Sequence, residues 1–141
     1  MLTFRTAILV SLSMAAASNT FAADFPKGPA NHKEAETQGL QRVNLEELKK
    51  FIPGIINNEG VRGVKHTLTF KADGTVDRTG FNDLTGEWHF DKKNNAYCTG
   101  FYKKKGYREK CFAVFRATDG SNFFDYEIGS GFYAHVWHPG K

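Results

Sequence analysis

Apolar and polar residues alternate along most of the chain after residue 63, which predicts β-strands that each bury one face. The first such segment buries four alternate side chains: Val64, His66, Leu68 and Phe70. A three-residue turn that ends at Gly74 places Phe70 opposite Val76. The same register turns Arg78 toward the buried face, which His66 shares. Two polar side chains are therefore expected on an otherwise apolar inner face.

A second hairpin is predicted with a two-residue turn at 104–105. That turn pairs Tyr102 with Tyr107. The same count brings Cys98 opposite Cys111. Directly opposed strand residues have β-carbons about 4–5 Å apart, which is close to the separation that a disulfide requires. One register thus predicts a Cys98–Cys111 disulfide.

A third hairpin is predicted over residues 123–138, with its turn at 129–131. One face carries three apolar pairs: Ile128 with Phe132, Tyr126 with Ala134, and Phe124 with Val136. The other face carries two pairs: Phe123 with Trp137, and Asp125 with His135. Both faces of this hairpin are therefore rich in aromatic residues.

About seven short strands follow one another in this way, joined mostly by tight turns. Residues 86–91 form one of them, with Trp88 and Phe90 on the same side. Sequential hairpins build an antiparallel meander. Closure removes exposed strand edges, so we predict a mainly β fold: a small lipocalin-like barrel or a strongly curled sheet.

One helix is predicted before the strands, over residues 44–52. Asn44 can cap it, and Glu47 can complete a capping box. Pro53 then ends it. The preceding residues, 23–43, are polar and lack an apolar period, which predicts an extended or disordered lead-in. We therefore expect a single β-domain over residues 44–141, with the helix at its N-terminal end.

The first 22 residues are typical of a secretory signal peptide. Arg5 precedes an apolar stretch of eleven residues, 7–17, and a small, polar segment follows up to Ala22, the expected cleavage position, with Ala17 as the alternative. The apolar run is shorter than the roughly 20 residues that span a bilayer. We expect a periplasmic or secreted monomer of about 119 residues, with no transmembrane segment in the mature chain. Disulfides persist in such compartments.

The order of four short motifs resembles that of a known family. They are Phe70 to Thr75 (FKADGT), Gly86 to Trp88 (GEW), Tyr97-Cys98, and Lys110-Cys111-Phe112. The family consists of small secreted bacterial proteins and is catalogued as a domain of unknown function. The resemblance covers about residues 44–138, and it implies a small extracytoplasmic β-fold without known catalytic residues. Small periplasmic lysozyme inhibitors are a looser likeness, but their inhibitory motif is not found here.

Two groups of residues are candidate binding sites. The first is the inner set His66, Arg78 and Trp88, where a cation over apolar residues would select an acidic ligand. A rim position, with the polar side chains in solvent, is the alternative interpretation. The second group is the hairpin tip: Lys103, Lys104, Lys105 and Arg108. It suits an anionic partner, although lysines at a turn also serve only to solvate it.

Neither catalysis nor metal binding is predicted. His135 and His138 lie three apart, which on a strand sends them to opposite faces. Asp125 and His135 are expected to form a structural pair, because no serine or cysteine nucleophile is placed beside them. The net charge of +4 is mild, and the basic residues of a single hairpin tip form a small contact surface for a nucleic acid. We therefore expect no catalytic residue, metal, cofactor or nucleic-acid partner.

The sequence thus predicts an exported, non-catalytic protein of the cell envelope. Its expected partner is an acidic small molecule, a glycan or an envelope protein. The alternative prediction is an interaction module that inhibits or regulates an envelope enzyme through the Lys103–Lys105 tip.

Overall fold

The computed structural model describes residues 25–140. Within this range the elements follow in this order: α1 His32–Thr37, β1 Gln41–Arg42, α2 Leu45–Leu48, β2 Gly54–Gly60, β3 Lys65–Phe70, β4 Thr75–Thr79, β5 Leu84–Asp91, β6 Ala96–Lys103, β7 Gly106–Arg116, β8 Phe123–Glu127 and β9 Tyr133–Pro139. The predicted signal peptide, residues 1–22, lies outside the described residues. Neither described helix is long and apolar enough to cross a membrane.

Strands β2 to β9 form a closed, eight-stranded antiparallel barrel. Each strand pairs with the next along the chain, and β9 pairs with β2 to close the ring. The predicted meander and barrel are confirmed. The barrel has one strand more than the sequence pattern indicated, because Asn57, Asn58 and Glu59 interrupt the apolar alternation of β2.

Two of the predicted hairpin registers are confirmed. Phe70 faces Val76, and Gly74 takes the left-handed conformation at φ +87° that the turn requires. In the β6–β7 hairpin, Cys98 faces Cys111 and the two form a disulfide. The alternation of residues and the length of each turn were sufficient to set these registers.

The predicted register of the third hairpin is confirmed in one half and wrong in the other. Asp125 faces His135 as expected, but Tyr126 faces Tyr133 instead of Ala134. Strand β8 ends at Glu127, so the expected Ile128–Phe132 strand pair is absent from it. A β-bulge shifts the register by one residue, and the carbonyl of Ala134 accepts a hydrogen bond from the Val61 amide of the neighbouring loop.

The barrel interior holds the main core. The helix predicted over residues 44–52 is shorter than expected, because α2 ends at Leu48. Leu48 of α2 and Ile52 of the turn that follows it pack against this core at the end where β2 begins. The predicted capping box is confirmed, since Asn44 accepts from the Glu47 amide and Glu47 accepts from the Asn44 amide. One end of the barrel is therefore closed by apolar residues, while the four loops β2–β3, β4–β5, β6–β7 and β8–β9 surround the other.

A second apolar cluster covers the outside of β7, β8 and β9. Its members are Ala35, Ala113, Phe115, Phe124, Tyr126 and Val136. Helix α1 supplies Ala35, which is fully buried. The residues predicted as an extended or disordered lead-in therefore contain a helix and the short strand β1. Their pattern gave little signal because a single alanine forms most of the buried contact of α1.

Loss of the disulfide is expected to lower the free energy of unfolding by about 2–3 kcal/mol, because the unfolded chain regains the freedom of a 12-residue loop. The test is urea unfolding of Cys98→Ala combined with Cys111→Ala. A reductant should destabilise the wild type by a similar amount and leave the double variant unchanged. Two free thiols in the native protein would contradict the prediction.

Candidate ligand-binding site

A cavity of ≈ 320 Å³ opens at the end of the barrel opposite α2. Its lining combines apolar, cationic and histidine side chains: Val61, His66, Leu68, Arg78, Tyr97, Thr99, Phe101, Lys103, Arg108, Lys110, Phe112, Glu127, Tyr133, Ala134 and His135. This volume lies within the range of small-molecule sites in proteins, which is about 300–1,000 Å³.

Part of the cavity lining is apolar, because three strands each turn an apolar residue inward. Leu68 of β3, Phe101 of β6 and Phe112 of β7 are all buried there. The disulfide lies on the opposite face of the sheet, since Cys98 and Cys111 occupy the intervening positions. Because side chains alternate between the two faces of a strand, the disulfide lies on the outer face of the sheet and the cavity on its inner face.

Arg78 places a cation against this apolar wall. Its guanidinium carbon lies 5.1 Å from the centre of the Phe101 ring. Its Nε and one terminal nitrogen donate to the carbonyl of Asn82, at 3.3 and 3.2 Å. Burial lowers the pKa of Arg78, and no described carboxylate forms an ion pair with it. The guanidinium is therefore partly desolvated without a compensating negative charge.

Three more cations line the cavity, all contributed by the β6–β7 hairpin: Lys103, Arg108 and Lys110. Lys110 forms an ion pair with Glu127 at 2.8 Å. Lys103 and Arg108 form no ion pair within the described part of the chain. The lining thus carries four cations against one carboxylate, and we expect a positive potential that favours an anion.

Two histidines line the cavity on strands either side of β2: His66 on β3 and His135 on β9. The rings of His66 and His135 meet edge to face, with centres 5.9 Å apart. Burial lowers the pKa of His66 to about 4, with smaller contributions from His135 and Arg78. At neutral pH, His66 is therefore an uncharged hydrogen-bonding group beside the cations.

Asp125 is a buried carboxylate below the histidines. The Tyr97 hydroxyl donates to one of its oxygens, and the indole nitrogen of Trp137 donates to the other at 2.7 Å. His135 Nδ1 lies 3.6 Å from the first oxygen. Burial and the adjacent carboxylate raise the pKa of Tyr97 well above its usual value. Asp125 is thus occupied in holding two aromatic residues in place.

The structure brings together residues that the sequence assigned to two separate sites. His66 and Arg78 from the inner set line the same cavity as Lys103 and Arg108 from the hairpin tip. Lys104 and Lys105 are exposed in the turn and do not line it.

Trp88, the third residue of the predicted inner set, lies outside the cavity lining. It packs edge to face against Phe70 and Phe90, and its indole nitrogen donates to the Lys71 carbonyl at 2.8 Å. It belongs to the partly buried layer on the closed side of the barrel. The alternation of residues correctly predicted which face of the sheet Trp88 occupies. Alternation cannot predict how far along the barrel axis a residue lies.

Lys110, which follows the basic hairpin tip, alternates with Arg108 and Phe112 and lines the same cavity. Sequence reasoning missed the role of Tyr97. Its contact with Asp125 gave no local signal, because it joins residues 28 apart in the chain. Asn58 is also buried, opposite His66 and Trp137, and its side-chain oxygen accepts no hydrogen bond from the described residues.

The outer face of the β5–β7 sheet carries a different cluster. His89 Nε2 lies 3.1 Å from a Glu109 oxygen, and the ligating atoms of both lie near the sulfur of Cys98. A thiolate is the form of cysteine that binds metals, and the disulfide removes it. We therefore assign a hydrogen-bonding role to this cluster.

No family model, curated protein or solved structure matches the chain. The resemblance to a family of small secreted bacterial proteins therefore stays a prediction.

Acidification is expected to reduce stability through His66. Its pKa is about 4 in the folded protein and near 6.5 in an unfolded chain, so the unfolded state binds more protons between these values. The contribution is absent above pH 6.5, and stability is lost progressively as the pH falls toward 4. Urea unfolding at several pH values should show a weaker pH dependence for His66→Gln than for wild type. An equal slope would contradict this, and His138→Gln, which lies outside the cavity, is the control.

Removal of the buried carboxylate is expected to be costly. Asp125→Ala leaves the Tyr97 hydroxyl and the Trp137 indole without their acceptor, and it should lower the free energy of unfolding by about 2–4 kcal/mol. The measurement is chemical unfolding followed by tryptophan fluorescence. Glu87→Ala, at an exposed carboxylate, should change stability by less than about 0.5 kcal/mol. Similar effects of the two substitutions would contradict the structural role of Asp125.

Proposed function

We propose that this protein is an exported, non-catalytic protein of the cell envelope that binds a small acidic ligand in the mouth of its barrel. The observation that supports this most strongly is Arg78. Its guanidinium lines the cavity, is partly desolvated against Phe101 and has no described carboxylate partner.

A cation withdrawn from water loses hydration energy unless a negative charge replaces the lost water. A bound carboxylate, sulfate or phosphate group would supply that charge. The planar guanidinium can donate two parallel hydrogen bonds to such a group. Lys103 and Arg108 stand on the same lining and would add long-range attraction.

The remainder of the lining suits an apolar body attached to the acidic group. Leu68, Phe101 and Phe112 offer apolar surface, and His66 can exchange hydrogen bonds without adding charge at neutral pH. A ligand that combines an anionic head with an aliphatic or aromatic body would satisfy both halves of the cavity. This chemistry favours an acidic amphiphile over a fully polar ion.

Two observations favour binding over catalysis. The described lining contains neither serine nor cysteine, so two common nucleophiles are absent from it. The Asp125 carboxylate, which could have oriented His135 as a base, accepts from Tyr97 and Trp137 instead.

Export is the second part of the proposal. The disulfide suits an oxidising compartment, and the first 22 residues have the pattern of a signal peptide. We place the protein in the periplasm or outside the cell.

The alternative proposal, inhibition or regulation of an envelope enzyme, rests on the exposed lysines of the β6–β7 turn. Lys104 and Lys105 form no ion pair with any described residue and are free to meet an acidic protein surface. The cavity has no part in that function, whereas it is central to ligand binding. We therefore favour ligand binding.

The charge of Arg78 is the feature to test. In isothermal titration calorimetry, decanoate should bind more tightly than decanol, which has the same apolar body without the charge. Arg78→Gln should lower decanoate affinity by about tenfold or more, since a charged hydrogen bond contributes about 1.5–3 kcal/mol. It should leave decanol binding nearly unchanged.

Arg62→Gln is the matched control, because Arg62 is an exposed cation outside the cavity lining. It should behave as wild type with both probes. Equal affinity for decanoate and decanol in the wild type, or an equal loss in both variants, would refute an anion site at Arg78.

A further inference from the structure

Exposed apolar side chains are concentrated at the open end of the barrel. We define the open rim as residues 59–65, 78–84, 102–110 and 127–133, the four loops with their adjoining strand ends. Six of the seven large apolar side chains that are exposed among the described residues belong to it: Val61, Phe81, Tyr102, Tyr107, Ile128 and Phe132. The seventh, Ile55, lies near the start of β2.

The exposure of these side chains is large. Val61 is 64 % exposed, Phe132 is 65 % exposed and Tyr102 is 68 % exposed. Single exposed apolar residues are common on soluble proteins, but a group gathered at one end indicates an interaction surface. Each of the four loops contributes at least one such side chain, so the group surrounds the mouth of the cavity.

The positive charge of the described chain is concentrated on the same rim. The rim holds eight lysines and arginines and four carboxylates, a net charge of +4. The remainder of residues 25–140 holds nine basic and ten acidic residues, a net charge of −1. The rim therefore differs from the rest of the surface in both charge and apolar exposure.

The carboxylates of the rim are already occupied by local partners. Glu127 pairs with Lys110, Glu109 with His89, and Glu59 lies 3.9 Å from Lys65. Asp83 accepts a hydrogen bond from the amide of Gly80. By contrast, several rim cations form no ion pair with any described residue: Arg62, Lys103, Lys104, Lys105 and Arg108. Their charges are available to an external anionic surface.

We propose that the open rim docks onto the surface of an anionic lipid bilayer. Val61, Phe81 and Phe132 would enter the headgroup region as separate apolar contacts. Lys103, Lys104 and Lys105 would lie among the lipid phosphates. Apolar insertion and attraction to anionic lipids both contribute to peripheral membrane binding, and this rim supplies both.

The arrangement of the rim favours a lipid surface over a protein partner. The apolar side chains come from four separate loops, and three of the four rim segments also carry lysine or arginine. The core of a protein interface is depleted of lysine, and its apolar residues adjoin one another. A bilayer surface accepts separate apolar side chains with lysines between them, because the lysine stems extend along apolar surface while the ammonium groups stay hydrated.

Docking in this orientation would turn the mouth of the cavity toward the membrane. The cavity opens within the ring of rim residues, and its lining includes Val61 and Lys103 of that ring. The docking proposal does not depend on what the cavity binds, and a separate set of variants tests it.

The test is co-sedimentation with vesicles of phosphatidylcholine alone or of phosphatidylcholine mixed with phosphatidylglycerol. The wild type should bind the anionic vesicles and lose most of that binding in high salt. Arg62→Glu, Lys104→Glu and Lys105→Glu together should lower the partition coefficient about 100-fold or more. None of these three lines the cavity, so the triple variant should still bind decanoate.

A matched triple variant controls for net charge. Lys50→Glu, Lys92→Glu and Lys93→Glu change the charge by the same amount at exposed positions on the closed side of the barrel. This variant should keep the greater part of the wild-type partition coefficient. For apolar insertion, Val61→Ser with Phe132→Ser should lower binding about tenfold or more, whereas Ile55→Ser should not.

Three results would overturn the proposal. They are equal binding to neutral and anionic vesicles, equal losses in the rim variant and its matched control, and no binding to anionic vesicles by a wild type that still binds decanoate. The last result would assign the rim to an acidic protein partner instead.

Discussion

The buried carboxylate of Asp125 is the constraint on which the rest of this barrel depends. A carboxylate inside an apolar barrel is tolerated only when its oxygens accept hydrogen bonds, and here Tyr97 and Trp137 donate them. These two large aromatic residues come from strands on either side of β8, which carries Asp125: Tyr97 lies on β6 and Trp137 on β9. Asp125 therefore fixes their positions, and with them the boundary between an apolar closed end and a polar mouth. The cavity begins where this packed layer ends.

The boundary between the apolar closed end and the polar mouth determines which side chains line the cavity. Below the boundary, Leu48 of α2 packs with the apolar and aromatic side chains of the barrel interior. Above it, the inward positions carry Arg78, His66 and the cations of the β6–β7 hairpin. The same strand period that buries Leu68 and Phe112 thus also turns polar side chains inward near the open end. Positive charge and exposed apolar side chains then continue onto the surrounding loops, so the cavity and the rim present one cationic, amphipathic end.

Much of this fold was predictable, because alternation and turn length together determine which residues face each other. The Phe70–Val76 and Cys98–Cys111 pairs followed from those two rules. The β-bulge near Ala134 could not be predicted in this way. There the Ala134 carbonyl accepts a hydrogen bond from the amide of Val61, which lies far away in the chain. The face of Trp88 was predictable but its depth was not, since depth depends on strand stagger around the whole barrel. For the same reason, the sequence analysis assigned Arg78 and Lys103 to two different sites, although both line one cavity.

The function proposed for this protein requires the claim that its cavity holds an acidic ligand. Native mass spectrometry of the protein purified from its own cells tests that claim most directly, with the Arg78→Gln variant prepared in parallel. We expect an acidic small molecule bound to the wild type and absent or strongly reduced in the variant. A wild type that is free of ligand in repeated gentle preparations, or an identical adduct on both proteins, would contradict the account.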